Sequence, residues 1–100
     1  MLPDAGPRFD REYGCSEREW LSWMPAATHG HAWAQTGPGA MAVQIGGGQL
    51  LVHWQVLAPR VIALLRVPRL AVRFEFQQID EPTRLAFLRA FDMRMQRGGG

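Results

Sequence analysis

Between residues 41 and 76 apolar side chains recur with a period of two, in four strand-like runs that register as one antiparallel meander. Pairing outward from Pro68-Arg69 sets Val67 against Leu70, Leu65 against Val72, Ala63 against Phe74 and Val61 against Phe76. Pairing outward from Pro59-Arg60 sets Ala58 against Val61, Val56 against Ala63, Trp54 against Leu65 and Val52 against Val67. A Gly46-Gly47 turn then places Val43 opposite Leu50 and Met41 opposite Val52. Successive side chains of a strand point to opposite faces, so a slip of one residue would turn an apolar set away from the core. Three turns that select the same inner face predict strands over 41–45, 49–57, 61–67 and 70–76.

Helices flank this meander. Ser16-Glu17-Arg18-Glu19 reads as a capping box, in which the Ser hydroxyl and the Glu carboxylate satisfy each other's free backbone N–H groups. Trp20, Leu21, Trp23 and Met24 give the helix an apolar stripe over 17–24, and Pro25 is expected to end it. Asp80-Glu81-Pro82 opens a second helix over 81–96, with Leu85, Leu88, Phe91 and Met95 on one side. Weak alternation over 31–35 leaves a fifth strand open, returning through Thr36-Gly37-Pro38-Gly39. A three-residue loop would put Trp33 on the inner face beside Val43 and a four-residue loop on the outer face. The inner is expected, because a buried indole can still reach an acceptor with its N–H. The expected organisation is a loose tail over 1–14, a single α+β domain over 15–97 and a disordered glycine end over 98–100.

A chain of 100 residues, 47% hydrophobic, suits one small core. All 11 basic residues are Arg and neither Lys nor Asn occurs, which reads as the codon bias of a GC-rich bacterial genome. Residues 1–50 carry three Arg against five acids and residues 51–100 eight Arg against four, so the second half is basic. A single Cys15 excludes an internal disulfide and points to a reducing, cytoplasmic compartment. The longest apolar stretch, Val56–Val72, is interrupted by Pro59, Arg60, Arg66, Pro68 and Arg69 and cannot span a bilayer as a helix.

The face of the meander turned away from the core is the candidate site. It reads Leu51, His53, Gln55 and Leu57, then Ile62, Leu64 and Arg66, then Ala71, Arg73 and Glu75. A face meeting only water should be polar throughout, yet Leu57 is expected opposite Ile62 with Leu64 beside them. Either the N-terminal helix or the 26–40 segment covers this patch, or a partner does. The partner surface would centre on Leu57, Ile62 and Leu64, rimmed by His53, Arg66 and Arg73. The alternative is an anion or nucleic-acid site on Arg60, Arg66, Arg69 and Arg73, four cations with no acid among them.

Signals for chemistry are weak. His29 and His31 have spacing that could aim two imidazoles at one ion, with Cys15 and His53 as further donors, but no ligand pattern joins them and no metal is assigned. Cys15 lies beside a helix N-terminus, which favours a thiolate, yet no base accompanies it. Gly46-Gly47-Gly48 links two strands rather than opening a helix, so it is a turn and not a phosphate loop. These residues suggest a small non-enzymatic binding or adaptor domain that engages a protein partner or itself as a homodimer, with no cofactor and no membrane.

Overall fold

The computed structural model describes residues 6–97. Residues 1–5 of the expected tail, and the glycine end over 98–100, lie outside the described residues. In chain order the elements are β1 (Arg8–Tyr13), α1 (Glu17–Ala27), β2 (Trp33–Gly37), β3 (Ala40–Ile45), β4 (Gly48–Ile62), β5 (Leu65–Gln77) and α2 (Glu81–Arg97). The strands form one antiparallel sheet in the order β1-β5-β4-β3-β2. The expected α+β class is correct, and the fifth strand exists.

The first hairpin of the meander forms as the sequence reads it. Val43 pairs with Leu50 and Met41 with Val52, around the turn at Gly46-Gly47. Gly48 is required here, because a Cβ would lie 2.2 Å from the Gln77 carbonyl oxygen. Trp33 pairs with Val43 and packs against the core from β2, on the expected inner side.

Beyond this point the register differs. The expected turns at Pro59-Arg60 and Pro68-Arg69 are absent, and β4 and β5 are two long strands joined at Ala63-Leu64. Trp54 therefore pairs with Val72 instead of Leu65, and Val52 with Phe74 instead of Val67. Leu65 and Val72 lie seven residues apart on one strand and so face opposite ways, overturning their expected pairing. Val56, Val61, Ala63 and Leu65 are exposed and Val67 is half-buried, where the meander would have buried all five. The prolines mislead because both are accommodated without a turn. The register between Leu57/Arg69 and Arg60/Val67 shifts by one residue, so Ala58-Pro59 bulges opposite Pro68, where missing N–H groups break no regular ladder.

The inner face carries Leu50, Val52, Trp54, Leu70, Val72, Phe74 and Phe76, all buried. Both helices cover it. Trp20 of α1 packs on Trp54 at 5.9 Å and on Phe91 of α2 at 6.3 Å, while Phe91 meets Phe74 edge to face. Ser16 and Glu19 form the expected capping box. Pro25 does not end α1, which continues to Ala27 and is capped by Thr28, whose buried hydroxyl donates to the Met24 carbonyl. Proline is tolerated there with its ring exposed, in the last turn of a helix held by Trp20, Met24 and Ala27.

Residues 8–13, expected in the tail, form edge strand β1 along β5. Phe9 stacks on Phe74 at 4.9 Å. Arg11 lies over both rings and donates to Asp92 of α2 at 2.6 and 3.2 Å. This pair ties the sheet edge to the last helix.

Candidate contact surface

With both helices on one side, neither α1 nor the 26–40 segment covers the outer face of the sheet. Cross-strand alternation places Asp10 and Glu12 of β1, Arg69, Ala71, Arg73 and Glu75 of β5, and Leu51, His53, Gln55 and Leu57 of β4 on that face. Its middle is charged rather than apolar. Arg73 donates to both oxygens of its cross-strand neighbour Asp10, at 2.8 and 3.3 Å, which holds the Asp10 carboxyl below the usual range. His53 pairs with Arg73 across the ladder, and the two help line a shallow trough of about 720 Å³.

The expected apolar centre lies elsewhere. Pairing to β3 ends at His53 and pairing to β1 ends at Leu70, so the remainder of β4 and β5 runs on as a two-stranded arm. The arm extends roughly 17 Å past Leu70 at 3.4 Å per residue. Ile62 pairs with Leu65, Val61 with Arg66 and Arg60 with Val67. Leu57 faces Arg69, not Ile62. Leu57, Ile62, Leu64 and Arg66 therefore belong to the arm, while His53 and Arg73 sit on the sheet below it. The six residues do not form one compact patch.

The arm is apolar and unburied. Leu64 is 98% exposed, Leu65 67%, Val56 and Val61 62% each, and Ile62 53%. Alternation along the uninterrupted β5 puts Arg66, with its partner Val61, on the side facing the helices; Ile62, Leu65, Val67 and Arg60 take the other side. Ala63 closes the end at φ +54°, a conformation that costs an L-residue steric strain and in a two-residue hairpin usually calls for Gly or Asn. No local signal marks Ala63-Leu64 as a turn, which is why sequence reasoning missed the arm.

Most of the basic residues at its base are engaged. Arg69 donates through Nε to the Ala58 carbonyl that the bulge releases, and through Nη1 to Glu12 at 3.2 Å. Arg60 approaches Glu12 at 3.6 Å. Arg69 thus braces the bulge against β1. Of the four arginines expected to bind anions, Arg60, Arg69 and Arg73 each have an acidic partner within the chain.

The other candidates do not assemble. His29 and His31 meet edge to face at 4.9 Å and both pack on Phe87, but no group of three or more His, Cys, Asp or Glu among the described residues could hold a metal ion. Cys15 is buried, and burial together with the nearby Glu19 charge pushes its thiol up to about 11, away from a reactive thiolate. No described helix is long and apolar enough to cross a membrane. Comparison with known proteins finds no matching family model and no matching curated protein.

Proposed function

We propose that this chain is a non-catalytic protein-binding domain whose contact element is the β4–β5 arm, with the outer sheet face beneath it as a polar border. One observation carries this. Five large apolar side chains, including the almost fully exposed Leu64, stand on a ribbon that adds no buried residue to the core between Trp54 and Leu70. Scattered exposed leucines need no explanation, but five large apolar side chains concentrated on the two faces and tip of one projecting element mark an interaction site. A two-stranded ribbon is marginal alone in water, so contact with a partner would also stabilise it. Leu57, Ile62 and Leu64 supply apolar contact, Arg66 a charge near the tip, and His53 and Arg73 a polar rim. The lone, buried Cys15 suits a reducing, cytoplasmic setting. The alternative, an anion site, draws on Arg66, the arginine of that set for which no acidic partner is seen among the described residues.

Leu64→Glu is the test. The site is open in the monomer, so circular dichroism should show an unchanged fold. Binding to a partner or to a second copy should weaken at least about thirtyfold, corresponding to a hot-spot loss of about 2 kcal/mol. The wild-type contact should weaken only modestly at high salt, whereas contact made to phosphates would fall steeply. A variant that unfolds, or binds undiminished, contradicts the proposal.

A further inference from the structure

Resting on that reading, we infer that the arm's partner is a second copy of the chain, bound with the two arms antiparallel so that the tip of each lies over the base of the other. The arm's edges make strand addition unfavourable. Pro59 lies on one free edge and Pro68 on the other, each removing an N–H that an added strand would need. The arm therefore offers its faces.

The face turned toward the helices has a self-complementary order. From base to tip it presents Glu17 and Glu19 on the first turn of α1, then Val56, then Val61 and Arg66 side by side as a cross-strand pair near the tip. Glu17 accepts the Trp54 indole N–H at 2.7 Å and Glu19 caps its own helix, so both are fixed beside the arm's base. Neither has a cation within ion-pair distance among the described residues. Arg66, at the other end, is exposed and likewise has no acid within that distance. A two-fold axis near the Pro59 bulge would bring Val56 of one copy against Val61 of the other. It would also bring Arg66 of each copy over the acidic α1 start of its mate. In an isologous contact each such pairing occurs twice. Alignment with both arms pointing the same way would instead gather both Arg66 side chains at one end and both acidic α1 starts at the other.

Charge reversal tests the arrangement. Wild type should sediment as a dimer. Arg66→Glu, and separately Glu17→Arg combined with Glu19→Arg, should each dissociate it at least about a hundredfold more readily, because like charges then face one another twice. Mixing the two variants should restore a heterodimer, since both contacts regain opposite signs. Should the α1 variant fail to fold, a mixture of Val56→Cys and Val61→Cys chains serves in its place, and oxidation should join them into a covalent heterodimer. A wild type that is monomeric throughout overturns the second copy but leaves the arm as a contact element for another protein. A dimer that neither Leu64→Glu nor Arg66→Glu weakens overturns both. Flotation of a monomeric wild type with anionic vesicles would assign the tip to lipid and also overturn the dimer.

Discussion

His29 shows how one side chain links the packing of the last helix to solution conditions. Its backbone stands at φ +39° after α1, and its ring packs on Phe87 at 4.8 Å. Nε2 is buried with no hydrogen-bond partner among the described residues. Burial, followed by the charges of His31 and Arg94, lowers its pKa from the ordinary value of 6.5. The unfolded chain then binds a proton more readily than the folded one. This contribution to stability is fully present above pH 6.5 and is lost as pH falls through the lower folded value. Thermal melts between pH 7.5 and 5 should show the midpoint falling with acid, and His29→Gln should flatten that fall. A variant with an unchanged pH dependence would assign the loss to other groups. The sequence shows His29-Gly-His31 as a spacing alone, because Phe87, which gives the pair its environment, lies far along the chain. The Ser16–Glu19 capping box is legible since both partners sit within one turn. Arg11 is the opposite case: it reads as part of a charged tail until Asp92 and the Phe9 and Phe74 rings surround it.

Strands 41–45 and 49–54 could be read correctly because a glycine turn and a buried face specify the same register. The segment 56–70 could not, since its face is not buried and nothing there penalises an alternative pairing. Proline-arginine steps were the strongest local punctuation, yet the chain uses one to form a bulge and the other to face it, and turns at Ala63-Leu64. That turn predicts its own response. Ala63→Gly should remove the steric cost of positive φ, partly offset by greater unfolded-chain entropy, for a net gain of up to about 1 kcal/mol in local arm stability. Ala63→Val should lose more than that, because a β-branched residue tolerates positive φ poorly. Amide exchange at Ile62 and Leu65 should slow in the first variant and quicken in the second. Equal exchange in all three proteins would mean that the arm is not closed by this turn.

At the scale of the whole molecule, the fold separates into a two-layer body and an appended ribbon. Phe9, Trp20, Val52, Trp54, Leu70, Phe74 and Phe91 all belong to the body, and the helices, sheet and Arg11–Asp92 pair close around one another without the arm. The longest dimension of the molecule is 46 Å against 31 and 22 Å, an elongation suited to a domain carrying a projection. If the arm serves contact rather than folding, it should be dispensable to the body. Leu57 and Arg69 already pair across the ladder, so replacing residues 58–68 by Asn-Gly would close a two-residue hairpin in the backbone geometry that β-ribbons favour. Loss of the Arg69 bond to Ala58 at an exposed site should lower stability by about 1 kcal/mol. The shortened chain should keep its helical circular dichroism and cooperative melt, and should sediment as a monomer at concentrations where the full chain is a dimer. Retention of the dimer would move the contact to the outer sheet face around His53 and Arg73. Failure to fold would make the ribbon part of the body's own stability, and its exposed leucines, valines and isoleucine would then need a different cause.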